Sequence, residues 1–81
     1  MEAEIPQGFY DIILANINRN VLLQYLPGLK NVLRKNGQLL MSGILTTDAE
    51  DLIKACSGYN LKLHQQKQRE NWITLLFQAQ G

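Results

Sequence analysis

The chain has 81 residues and a formal net charge of +1, with 46% hydrophobic and 19% charged residues. This length predicts one small domain, and the balance of residues excludes a disordered chain. The small net charge gives no support for a nucleic-acid partner, which a basic surface would favour. No apolar run approaches the ~20 residues that span a bilayer, and the N-terminus lacks the order of a signal peptide. We therefore expect no membrane partner and a cytoplasmic location.

The first predicted strand is residues 9–15, preceded by a lead-in loop over residues 1–8 that contains Pro6 and Gly8. The run Ile-Ile-Leu-Ala at its end does not alternate with polar residues, which is typical of a strand covered on both faces in a parallel sheet. A piece of buried helix would show the same short run. Its two β-branched residues and the sharp polar stop after it favour a strand.

The first helix is predicted to begin near Asn18 or Asn20, because asparagine is favoured at helix N-caps. Apolar residues spaced by three and four then form one stripe. Pro27 interrupts that stripe and predicts a kink or two short helices. The next signals, two basic residues followed by Asn36 and Gly37, predict that the helix ends there.

The rest of the chain predicts a second strand over residues 38–42, a second helix from Thr47, and two strands over residues 60–68 and 72–78. Thr47 and Glu50 fit a capping box, and Gly58 fits the end of that helix. The link between the last two strands is short, so they form an antiparallel hairpin. The fold class is therefore α/β, in the order strand-helix-strand-helix-strand-strand, with a parallel first pair and a C-terminal antiparallel hairpin.

Polar residues follow the first two strands, at the edge of a parallel sheet where ligands bind. Asn16 can accept and donate hydrogen bonds to a ligand, or it can only organise the turn. Ser42 and Gly43 end the second strand, where the glycine permits either the close approach of a ligand or a tight bend. Trp72 opens the last strand, which favours packing in the core or the hairpin over a stacking platform.

Few other residues suggest chemistry. Cys56 is the only cysteine, which excludes an intramolecular disulfide, and its place on the apolar side of a helix predicts a buried structural thiol. His64 lies alone on the polar side of a strand and is expected to be exposed. The acidic residues at the start of the second helix complement the helix dipole rather than form a catalytic pair.

Two segments together resemble the PrmA family, whose members are S-adenosylmethionine-dependent methyltransferases of a large-subunit ribosomal protein. These are FYDIILANI at residues 9–17 and GQLLMSGIL at residues 37–45. The similarity covers about residues 5–79. It implies a Rossmann-like methyltransferase sheet, of which residues 9–81 would form strands four to seven. Residues 1–81 would then be a single, partial methyltransferase domain, and its partner would be a ribosomal protein.

The resemblance also implies roles for four residues. Asn16 would lie beside the methyl donor and the substrate amine, with Ile17 next to it, and Ser42 and Gly43 would form a wall on the substrate side. The glycine-rich cofactor loop and the acid that holds the cofactor ribose would lie upstream of Met1. We therefore expect a methyltransferase fragment that is inactive alone. The alternative is a non-catalytic module that binds itself or a partner, because the first strand would be an open sheet edge that favours a homo-oligomer.

Overall fold

The computed structural model describes residues 8, 10–16 and 18–80. It contains the predicted order of elements, which are β1 (Tyr10–Ala15), α1 (Arg19–Val32), β2 (Leu33–Leu45), α2 (Thr46–Gly58), β3 (Leu61–Arg69) and β4 (Trp72–Ala79). Most of the predicted lead-in loop, together with Phe9 and Ile17, lies outside the described residues. Within the described part, no helix has the length and apolar character that a membrane span requires.

The four strands form one sheet in the order β1-β2-β4-β3. β1 pairs with β2 in parallel, whereas β4 is antiparallel to both β2 and β3. The parallel first pair and the C-terminal hairpin confirm the predicted fold class. At the hairpin turn, Glu70 has a φ of 55°, the left-handed conformation that a tight reversal of the chain requires. The topology places β1 at one edge of the described sheet and β3 at the other.

Both helices pack on the same face of the sheet. Each contributes buried residues to a single apolar core, in which α1 supplies Leu22 and Leu26 and α2 supplies Leu52 and Cys56. The strands alternate, so every second residue of β2 and β4 completes this core, namely Leu39, Met41, Ile73, Leu75, Phe77 and Ala79. The intervening residues point to the other side of the sheet, which we call the open face.

The prediction that β1 is covered on both faces is wrong. Ile12 is 51% exposed and Leu14 is 71% exposed, whereas Ala15 is the only buried residue of the strand. The reason is that the described helices cover one face of the sheet only. The apolar residues of β1 are suited to burial on both faces of the sheet. In the described structure only one of those faces is covered by helices.

The first helix begins where predicted and ends earlier. The side chain of Asn18 caps it by accepting a hydrogen bond from the Val21 N–H at 3.0 Å. The helix continues through Pro27 as one element of 14 residues rather than two short ones. It ends at Val32, because Leu33 adopts an extended conformation that buries its side chain in the core. β2 therefore begins at Leu33 and runs for 13 residues, well beyond the five that were predicted.

The predicted capping box of α2 is also wrong. The helix begins at Thr46, and the preceding residue, Leu45, makes no side-chain cap. Instead, the N–H of Thr46 donates to the backbone carbonyl of Asn71 at 2.9 Å. A backbone group from the β3–β4 turn thus satisfies one of the orphan donors of the helix, and Thr47 lies inside the helix instead of at its N-cap.

Candidate functional site

The predicted polar residues meet at the carboxyl end of the parallel pair, although Ser42 and Gly43 lie inside β2 and not in a turn after it. Ala15, the last residue of β1, lies opposite Met41 of β2. Asn16 therefore follows β1 at the same edge where Ser42 and Gly43 occur in β2. The local cause is the parallel pairing, which brings the two carboxyl ends to one side of the sheet.

Asn16 and Gly43 are in close proximity. A Cβ atom built on Gly43 would lie 2.6 Å from Oδ1 of Asn16, and the glycine has a φ of +71°. The glycine is therefore needed twice, for a left-handed conformation that other residues rarely adopt and for the space that the amide of Asn16 uses. The left-handed conformation at Gly43 fits the predicted tight bend, and the group that approaches the glycine closely is the side chain of Asn16. The close approach of a ligand stays a prediction.

A cavity of about 310 Å³ opens beside this contact. Its walls come from the segment after β1, from β2 and β4, and from both helix N-termini. They consist of Asn16, Asn18, Arg19, Gly43, Ile44, Leu45, Asp48 and Trp72. Trp72 is 52% exposed, so it does not pack in the core; of the two expected places, it occupies the hairpin, where it lies opposite Arg69 of β3 as well as Leu45 of β2. Its place at the start of β4 brings the indole to the cavity. The sequence of β4 could have shown that Trp72 is exposed, because buried and exposed residues alternate along the strand and Ile73, the next residue, is buried.

Arg19, to which sequence reasoning assigned no role, forms part of the cavity wall. Its guanidinium donates to Asp51 of α2 at 3.0 Å and to the side-chain oxygen of Asn20 at 3.0 Å. The Nε atom of Arg19 is buried, without a hydrogen-bond partner among the described residues. Arg19 thus ties the start of α1 to the first turns of α2. Asn18 is occupied as the N-cap of α1.

Ser42 and Ile17 were also predicted to lie at the site. Ser42 is half-buried and precedes Gly43, but Gly43 rather than Ser42 contributes to the cavity wall. Ile17 lies outside the described residues. The roles of Asn16, Ile17, Ser42 and Gly43 toward a cofactor or a substrate stay predictions.

Two titratable groups outside the cavity match their expected surroundings. The thiol of Cys56 is fully buried, and this burial raises its pKa from the ordinary 9.0 to about 12, so the reactive thiolate is suppressed. His64 is exposed on β3. Within residues 8, 10–16 and 18–80, His, Cys, Asp and Glu side chains form no group of three or more that could hold a metal ion.

Comparison with solved structures identifies the class of fold. A tRNA methyltransferase of Aquifex aeolicus matches 99% of this chain over 39% of its own, with a TM-score of 0.71 at 12% identity, which shows a shared fold alone. The ribosomal protein L11 methylase of Lactobacillus delbrueckii subsp. bulgaricus matches 91% of this chain over 38% of its own, with a TM-score of 0.84 at 27% identity. The sheet is thus part of a methyltransferase-type, Rossmann-like fold.

Sequence comparison then identifies the family. The profile of the family described as ribosomal protein L11 methyltransferase (PrmA) matches residues 1–80, so the chain belongs to that family. A relative from Porphyromonas gingivalis is 38% identical over 68 residues, which are 84% of this chain and 23% of the relative. One from Geotalea uraniireducens is 36% identical over 78 residues, 96% of this chain and 24% of the relative. The chain therefore spans about a quarter of the length of these relatives.

Proposed function

We propose that these residues form strands four to seven of an S-adenosylmethionine-dependent methyltransferase domain that methylates amines of a ribosomal protein. Membership of the PrmA family and the names of its relatives support this proposal. The single observation that carries it in the structure is the meeting of Asn16 and Gly43 beside an open cavity at the carboxyl ends of β1 and β2. This is the edge of a parallel sheet at which ligands bind.

The residues of the cavity fit an amine and the methyl-donor end of such a cofactor. The amide oxygen of Asn16 can accept a hydrogen bond from an amine, and Gly43 leaves the room that this oxygen occupies. Trp72 supplies an apolar wall with a π face, which suits a methyl group or a cation. In the reaction, bound S-adenosylmethionine supplies an electrophilic methyl group. The chain's own contribution is to orient a neutral amine for in-line attack, which is catalysis by positioning.

Within the same proposal, the 81 residues are inactive by themselves. The six glycines are scattered, and none of them forms a glycine-rich loop that could hold a cofactor. Calorimetric titration of the 81-residue chain with S-adenosylmethionine tests this part, and micromolar binding would overturn it.

The methyltransferase assignment itself is tested in a polypeptide that carries the upstream coding sequence in frame. We expect that polypeptide to transfer methyl groups to amines of a ribosomal protein. The Asn16→Ala variant should lower kcat by roughly tenfold or more, the loss expected for one hydrogen bond that positions the reacting group. Gly28→Ala, in a helix and away from the cavity, is the matched control and should keep full activity. An unchanged kcat in Asn16→Ala would contradict the role of the amide.

A second candidate function, self-association, is favoured by the edge of β1. In the described sheet β1 pairs with β2 along one edge and with no strand along the other. Two of its apolar residues, Ile12 and Leu14, are largely exposed. β3, at the opposite edge, carries Lys62 and Lys67, the kind of charge that discourages strand pairing. We propose that the isolated chain forms a homodimer or larger homo-oligomer through β1.

Sedimentation velocity of the isolated chain tests the self-association. Ile12→Lys should shift it toward monomer, because a charge on an edge strand opposes pairing. Tyr59→Lys, which places the same charge at an exposed aromatic residue after α2, should have no effect. A wild-type chain that remains a clean monomer at high concentration would rule this function out.

A further inference from the structure

The first part of β2 contains the only Asn-Gly pair of the chain. Of the seven asparagines, Asn36 alone is followed by glycine, and the others are followed by Ile, Arg, Val, Leu or Trp. The pair lies where the pairing of β2 with β1 shifts register, between Leu33 and Gln38. The pairing of β2 with β4 also begins only at Gln38. Asn36 and the glycine after it therefore form part of a bulge in β2, outside the paired positions of both neighbouring strands.

The shape of the bulge requires both residues of this pair. Asn36 has a φ of 66°, a left-handed conformation that asparagine adopts more readily than most residues. A Cβ atom on Gly37 would lie 2.8 Å from the backbone oxygen of Arg34 and 3.0 Å from the side chain of Leu33, so a larger residue would displace its neighbours. Asn36 itself is exposed. The fold therefore places an asparagine amide in solvent directly before a residue that must be glycine.

We propose that Asn36 and Gly37 form a site of spontaneous modification in the folded chain, at which the asparagine converts to aspartate and isoaspartate. The backbone nitrogen of Gly37 loses its proton and attacks Cγ of Asn36, because glycine has no Cβ to shield that nitrogen. A C–N bond forms, the side-chain nitrogen takes up a proton and leaves as ammonia, and a five-membered succinimide ring remains. Water then opens the ring at either of its two carbonyl groups. One opening gives aspartate, and the other gives isoaspartate, in which the main chain runs through the former side chain.

Both products change the bulge. Each replaces a neutral amide by a carboxylate and lowers the formal net charge of the chain from +1 by one unit. Isoaspartate also adds a methylene group to the main chain, at a point where Gly37 is already crowded by Arg34 and Leu33. The backbone oxygen of Asn36, which accepts a hydrogen bond from the side chain of Gln78 at 3.4 Å, would move as a result. We therefore expect the isoaspartate form to unfold at a lower urea concentration than the aspartate form. This inference does not depend on methyl transfer.

Asn60 is an internal control for Asn36. It is also exposed and left-handed, with a φ of 60°, but it is followed by Leu61 instead of glycine. The 81-residue chain is incubated in its folded state at mildly alkaline pH, digested with trypsin and analysed by mass spectrometry. Asn36 and Asn60 then lie in separate peptides, residues 36–54 and 55–62, neither of which contains another asparagine. A fresh sample digested in parallel measures the conversion that occurs during digestion.

We expect Asn36 to convert at least about tenfold faster than Asn60, because the Cβ atom of Leu61 hinders the corresponding attack. Isoaspartate should appear together with aspartate, since both come from one succinimide. Conversion of Asn36 at the rate of Asn60 would overturn the proposal. Aspartate without isoaspartate would also overturn it, because that result indicates direct hydrolysis of the amide.

Two further experiments separate the site from its surroundings. Asn36→Gly keeps the left-handed conformation without steric cost, so this variant should fold like the wild type and lose the conversion in peptide 36–54. A conversion of the same rate in this variant would place the modification elsewhere in that peptide and contradict the assignment. The incubation is also repeated in urea. Conversion of Asn36 in urea but not in the folded chain would overturn the proposal, because it would show that the fold protects Gly37 from reaction.

Discussion

Gly43→Ala tests the close contact between Gly43 of β2 and Asn16, which follows β1. The left-handed φ of +71° disfavours alanine by about 1–2 kcal/mol. The new Cβ would also lie 2.6 Å from Oδ1 of Asn16, which must move. Because Asn16 is exposed and this oxygen is the end of its side chain, rotation relieves that contact at little further cost. We expect a loss of about 1–2 kcal/mol in the free energy of unfolding, together with a displaced Asn16 amide.

Urea unfolding measures the first effect and NMR the second. A loss of this size lowers Tm by roughly 4–16 °C in a domain of this length. The side-chain amide resonances of Asn16 should shift in Gly43→Ala. Gly28→Ala is the control, because a Cβ there meets no atom within 4 Å and alanine is the better helix former, so this variant should gain about 0.5–1 kcal/mol.

Gly43→Asn separates the two effects. Asparagine tolerates the left-handed region better than alanine but brings the same Cβ atom. It should therefore cost less stability than Gly43→Ala and still displace the amide of Asn16. Unchanged stability and unchanged Asn16 resonances in Gly43→Ala would contradict the predicted strain at Gly43. A Gly28→Ala variant as destabilised as Gly43→Ala would contradict it as well.

Three further predictions concern a cap, a thiol and an ion pair. Asn18→Ala should cost about 1 kcal/mol in urea unfolding, because the Val21 N–H loses its acceptor, whereas Asn18→Asp should keep most of the stability. Burial raises the pKa of Cys56 from 9.0 to about 12, so the free energy of unfolding should fall as the pH rises above 9 toward 12. Cys56→Ala should make the free energy of unfolding depend less steeply on pH in this range. The same pH dependence in the variant and the wild type would contradict this. In a double-mutant cycle, the half-exposed pair of Arg19 and Asp51 should couple by about 0.5 kcal/mol, and less in high salt.

The sequence predicted the elements whose signals are local. The order of strands and helices, the helix start near Asn18 or Asn20 and the hairpin before Trp72 each depend on residues within one short segment. The proximity of Asn16 to Ser42 and Gly43 was also predictable, because parallel pairing brings carboxyl ends together. The family resemblance implies the same edge of the sheet for these residues.

The errors arise where distant residues override local preference. Leu33 leaves the helix because the core buries it in an extended strand. Thr47 does not act as a cap because the helix begins one residue earlier, at Thr46, whose N–H donates to the carbonyl of Asn71 in the distant β3–β4 turn. Arg19 lies in the cavity wall and donates a hydrogen bond to Asp51, which is 32 residues away in the sequence. No local sequence pattern predicts this contact. Long-range contacts of this kind are what single-sequence reasoning cannot supply.

The edge of β1 links the two proposed functions and makes them exclusive. In a longer polypeptide, an upstream strand that pairs with β1 would occupy the edge that self-association needs. We therefore expect an active longer polypeptide to be free of association through β1, and the isolated chain to associate without activity. Leu14→Lys distinguishes the two states, since it should favour the monomer of the isolated chain but destabilise the longer polypeptide, where pairing buries Leu14. A longer polypeptide that is active and also associates through β1 would show that the upstream segment leaves this edge open.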